Sequence, residues 1–132
     1  MHITDRISNI IFYTGFSFLL THELDAMIRS EWRLIPFMKT IPDETGMNIF
    51  ILVHIPIFAA GIALISSTNI RTRSISRIGF AMFFIFHGIL HTLLKAVEIP
   101  EYDFNSLLSK LIIYSCSVFG IVYIFISKIR RV

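Results

Sequence analysis

The chain is poor in charge: Asp, Glu, Lys and Arg make up 16% of its 132 residues, against about 25% in a typical soluble domain. It has a single cysteine, Cys116, which excludes an internal disulfide framework. No repeat of about 20–50 residues is visible, and the length fits one domain over 1–132. A cleavable signal peptide is not expected. The first apolar run follows only Asp5 and Arg6 and passes into the acidic stretch THELDAM instead of a small-residue cleavage site. Apolar residues, by contrast, reach 55%, above the roughly 45–50% of soluble domains. The net charge is +3, but the bases sit in short clusters between apolar runs, as in membrane proteins, so nucleic acid is not an expected partner.

A helix needs about 20 mostly apolar residues to cross the hydrocarbon core of a bilayer. Four segments come near that length, at about 7–27, 47–66, 78–94 and 107–127. The expected fold is therefore all-α, a four-transmembrane-helix bundle. Pro36, Pro42 and Gly46 break the first connection, Asn69 the second and Pro100 the third. Within the first, SEWRLIPF is expected to form a short interfacial helix with Trp32 as its anchor. Pro56 lies inside the second span, where it frees the carbonyl of Leu52. Glycines 61, 79, 88 and 120 are expected at close helix contacts. FFIF, Phe83 to Phe86, fits lipid-facing or core packing, and Lys95 and Lys110 can snorkel to the interface.

With four spans, the N-terminus, second loop and C-terminus share a side. That side carries seven bases (Arg6, Arg71, Arg73, Arg77, Lys128, Arg130 and Arg131), against five on the other. The positive-inside rule then places both termini in the cytoplasm. RTRSISR, residues 71–77, reads as a cytoplasmic anchor.

Four of the five histidines fall inside the spans: His22, His54, His87 and His91. Counted from the span ends at 1.5 Å per residue, all four lie roughly 5–10 Å from the outer boundary. His87 and His91 are four apart, on one helix face. His22 and Asp25 are three apart, and Thr14, Ser17, Thr21 and Asp25 form a polar stripe expected to point into the bundle. Imidazole and carboxylate on neighbouring helices are the donor set of a zinc or iron site. Ionisable groups at membrane depth are functional candidates by default.

THELDAMIRSEWRLIP, the following PDETG, then HIPIF and HGILH resemble a family of small uncharacterised bacterial four-helix membrane proteins. The resemblance covers most of the chain, and HELDA and EWR are its most specific parts. A looser similarity is to the membrane family named for its His-x-x-Glu-Glu motif. His22 fits that pattern, whereas Asp25 and Ala26 stand where two glutamates would be. The resemblance implies a multi-pass protein of the bacterial inner membrane and names no reaction.

The expected function is a metal-dependent membrane enzyme, a hydrolase or oxidoreductase, acting on a lipid-like or apolar substrate near the outer leaflet. His22, Asp25, His54, His87 and His91 are the expected metal ligands. Glu23 or Glu31 is the expected general base, and Arg33 the binder of an anionic head group. The alternatives are a haem- or metal-binding protein, a small transporter and an accessory subunit, with homo-oligomerisation open to each.

Overall fold

The computed structural model describes residues 3–96 and 106–129 and the side chains of 5–94 and 106–128. The described residues form four α-helices: α1 (Ile3–Ile28), α2 (Asp43–Ile65), α3 (Ile70–Ala96) and α4 (Leu107–Ile129). Two short 3-10 turns, Glu31–Leu34 and Pro36–Thr40, join α1 to α2, and no strand occurs among the described residues. The expected turn at Pro100, the side chain of Lys95 and the terminal bases Arg130 and Arg131 lie outside the described residues.

Local chemistry sets the helix starts. Asn69 caps α3, its Oδ1 accepting the N–H groups of Arg71 and Thr72 at 3.0 and 3.1 Å. Asp43 and Glu44 occupy the first turn of α2, where carboxylates complement the positive helix end.

Each helix buries one stripe at helical spacing. On α1 it runs Ser8, Phe12, Gly15, Phe16, Leu19, His22, Asp25 and Ala26; on α4, Ser109, Ile112, Ile113, Cys116, Gly120 and Tyr123. α3 contributes Ala81, Phe84 and Gly88. The central core joins Phe12, Phe16, Leu19, Ala81, Phe84, Cys116 and Tyr123. The stripe of α2 is narrow, with Phe50, His54, Gly61 and Ile65 buried, while Leu52, Ile55 and Ile57 beside them are exposed. FFIF divides between the two expected roles, Phe84 in the core and Phe83 and Phe86 on the outside.

Three helices, α2, α3 and α4, are long and apolar enough to cross a membrane. At 26 residues, or about 39 Å, α1 also has the length, but its polar groups keep it out of that set. The outer faces of the bundle display Leu52, Met82, Phe86, Leu93, Leu111 and Phe125, each more than half exposed. So much contiguous apolar surface suits lipid better than water.

Three local expectations are corrected. The SEWRLIPF segment makes two 3-10 turns, not one interfacial helix, and Trp32 is buried against Phe50 and not anchored at the surface. Gly46 permits this, since a Cβ there would lie 3.0 Å from the indole. Ser17 and Thr21 face outward, because each hydroxyl donates to a carbonyl of its own helix, Tyr13 O and Ser17 O, and needs no partner in the bundle. Of the glycines expected at helix contacts, Gly79 faces open space.

Arg77 also departs from the surface-anchor reading. Its guanidinium donates to Ile65 O at 3.0 Å, Asn9 Oδ1 at 2.6 Å and Tyr13 Oη at 2.9 Å. It lies 5.3 Å from the Phe12 ring centre and 5.1 Å from that of Tyr13, tying α3 to α1 and to the end of α2. Arg77→Met keeps the aliphatic stem and removes every donor, at an expected cost of about 2–4 kcal/mol. Thermal unfolding in detergent should show a clear drop in midpoint, whereas a surface anchor would show none.

Candidate metal centre

The last turns of α1 carry His22 inward because the stripe through Phe12, Phe16 and Leu19 reaches that position at helical spacing. His87 and His91, one turn apart on α3, project towards it. Ring centres of His22 lie 4.8 Å from those of both His87 and His91, which are 4.9 Å from each other. One ring nitrogen from each of the three falls within 4.8 Å of the other two. His22 is fully buried.

Glu31 closes the group. After α1 the chain reverses at Ser30, whose φ of 60° lies in the left-handed region, and Glu31 begins the 3-10 turn that follows. Its Oε2 lies 3.6 Å from His22 Nε2 and 3.8 Å from His91 Nε2. Glu31 is itself buried. The cluster of Ala26, Trp32, Met38 and Phe50 covers this end of the bundle with apolar side chains.

Both ring nitrogens of His22 and Nε2 of His87 are buried without a hydrogen-bond partner among the described residues. Buried polar groups are ordinarily paired, and one left unpaired costs several kcal/mol in an apolar surrounding. One nitrogen from each of His22, His87 and His91, beside the Glu31 carboxylate, fits a cation that accepts nitrogen lone pairs. Tetrahedral zinc with 2.0–2.1 Å bonds sets nitrogens about 3.3 Å apart, so closing the group needs side-chain movements of about 1–2 Å.

The remaining sequence-derived residues lie elsewhere. His54 is outside the three-histidine group: its Nδ1–H donates to Phe50 O and its Nε2 faces Glu23 Oε2 at 3.0 Å. That second contact joins two acceptors, so a proton sits on the ring nitrogen or the carboxyl. Glu23 is thereby engaged with α2. Asp25 accepts from Arg29 Nε at 3.2 Å and from the Ser109 hydroxyl, and Arg29 reaches on to Ser106 Oγ at 2.6 Å. Asp25 thus pins α1 to α4. Arg33 is paired with Asp43 at the start of α2.

Sequence reasoning did not find Ser106 and Ser109 as the partners of Arg29 and Asp25. Their position within one turn of the α4 start was the available signal.

The profile of a family described as a family of unknown function, DUF6713, matches residues 8–130. No curated protein and no solved structure matches the chain.

Proposed function

Because the chain belongs to the family of unknown function DUF6713, its function must be read from the site itself, and we propose that His22, His87 and His91 hold a divalent zinc or iron ion in a membrane enzyme. The observation that carries this reading is the set of buried nitrogens on His22 and His87 that lack a hydrogen bond, with one nitrogen of each within 4.8 Å of a nitrogen of His91. Three imidazoles leave a fourth position, as in catalytic zinc sites. Glu31, near two of the three rings, takes that position or stands beside it as general base. A cation here would supply Lewis acidity to a bound substrate.

In this reading α1 is the fourth span, with Ser8, His22 and Asp25 turned to the other helices and the outward hydroxyls of Ser17 and Thr21 donating to their own helix, and both termini are cytoplasmic. The centre then lies near the outer leaflet of the bacterial inner membrane, within reach of a lipid-like or apolar substrate. Haem fits less well, because the three rings meet at 4.8–4.9 Å between centres and leave no slot for a porphyrin between any two.

Elemental analysis of protein purified in detergent tests the reading. About one equivalent of zinc or iron per chain is expected. His54→Gln should retain it, losing at most about tenfold in affinity as a supporting residue would. Absence of zinc, iron, copper and manganese from the wild type, with no uptake on addition, would overturn the assignment.

A further inference from the structure

The opposite end of the bundle holds a cleft of about 650 Å³, lined among others by Asp5, Tyr13, Arg73, Ser74, Arg77 and Ser127. It lies where the N-terminal parts of α1 and α3 meet the C-terminal ends of α2 and α4. From Asn9, which also lines it, to His22 along α1 is about 20 Å, and the Phe12, Phe16 and Phe84 core lies between.

The lining favours an anion that accepts several hydrogen bonds. Two guanidinium groups, Arg73 and Arg77, face one carboxylate, Asp5. Arg77 is committed to Ile65, Asn9 and Tyr13, so it builds the wall and supplies positive charge. Arg73 is different: one N–H donates to Ser67 O at 2.9 Å. A guanidinium carries five N–H donors, and the other four have no partner among the described residues. Tyr13 Oη accepts from Arg77, which leaves its own O–H to donate outward. Ser74 and Ser127 add hydroxyls from α3 and α4.

Guanidinium and hydroxyl donors converging on one open cleft match the oxygens of a phosphate group. Ile70, exposed at the cleft edge, and the apolar outer faces of α2 and α3 continue that edge towards the hydrocarbon. We propose that this cleft binds the phosphate of a membrane phospholipid headgroup, with Arg73 as its principal donor and Tyr13, Ser74 and Ser127 as the surrounding hydroxyls. This site is independent of the metal centre.

The test uses the full chain in detergent with dihexanoyl phosphatidylglycerol as probe, read by native mass spectrometry and titration calorimetry. Wild-type protein is expected to bind the probe, and Arg73→Gln to bind it about tenfold or more weakly, the loss of a charge-assisted pair. Ser74→Asp, which brings a negative charge to the phosphate, should weaken it comparably, while Lys128→Gln outside the lining should stay within about twofold. Should Arg73→Gln fail to fold, Ser74→Asp carries the test alone. Equal binding of phosphate-free dihexanoylglycerol, or unchanged affinity in both cleft variants, overturns the proposal. Displacement of the probe by an equal concentration of inorganic phosphate overturns the lipid assignment in favour of a soluble phosphate compound.

Discussion

His22→Ala is expected to abolish metal retention and, in metal-free protein, to cancel most of the usual stability loss of a core truncation. A structural zinc site contributes about 10–16 kcal/mol at neutral pH. Divided over four ligands, one ligand carries about 2.5–4 kcal/mol, a loss of about two to three orders of magnitude in affinity. His22 should exceed its share, because it is the most deeply buried of the three and lies 3.6 Å from Glu31. In chelator-treated protein the same substitution removes two buried nitrogens that lack a hydrogen bond along with the ring's packing, so the two contributions oppose each other. The variant should then unfold close to the chelated wild type. Metal added at about a thousandfold above the wild-type Kd should stabilise the wild type by about 4 kcal/mol and the variant by about 1.4 kcal/mol or less. A histidine serving only to pack predicts otherwise: the variant would be less stable by the same margin with and without metal.

The common level of the histidines along the bundle was legible in the sequence, and their azimuth was not. His22, His54, His87 and His91 lie at like distances from the span ends, and three of the four, His22, His87 and His91, meet in the structure. His54 shares that depth, yet it is directed to Glu23, one residue along α1 from His22. A rotation of about 100° between adjacent helical residues separates the group at His22 from the pair at Glu23, and depth along an axis carries no information about rotation around it. Asp25 illustrates the same point. It is three residues from His22 and inward-facing, but the Ser109 hydroxyl of α4 reaches it, a contact 84 residues away that no local pattern encodes. Glu31 depends on the reversal at Ser30. A serine in the left-handed region is uncommon, so the sequence there reads as the start of a short interfacial helix and not as a reversal.

The helices themselves were legible, and their buried faces only in part. Phe12, Phe16 and Leu19 on α1 and Cys116, Gly120 and Tyr123 on α4 recur at three or four residues, but apolar residues lie all round these helices, and Ser17 and Thr21, expected to point inward, face out. The surface of the second loop was less readable. A run of arginines and serines has the composition of an anchor, and only the positions of Asn9, Tyr13 and Ile65 reveal that Arg77 is built into the bundle.

Gly120→Ala is expected to be the most damaging single-methyl change in the protein, by forcing α4 away from α3. The added Cβ would lie 2.6 Å from the carbonyl oxygen of Ala81, with Phe84 Cβ at 3.1 Å and Ile85 Cγ1 at 3.2 Å. The nearest of these atoms is backbone and cannot rotate aside, and Ala81 is itself fully buried, so the helices must separate. Alanine gains about 1 kcal/mol in helix propensity over glycine, whereas overpacking costs about 1–3 kcal/mol and more against backbone. A net loss of about 1–2 kcal/mol is expected. Gly79→Ala is the control: nothing lies within 4 Å of its Cβ, so the propensity gain stands and the midpoint should rise slightly. The two variants also separate packing from the metal centre. Ala81 precedes His87 by six residues on the same helix, and displacement of α3 carries His87 and His91 away from His22 on α1. Gly120→Ala should therefore weaken metal binding as well as stability, while Gly79→Ala changes neither adversely. Equal midpoints for the two variants would show that α3 and α4 do not meet as closely as their backbones are placed.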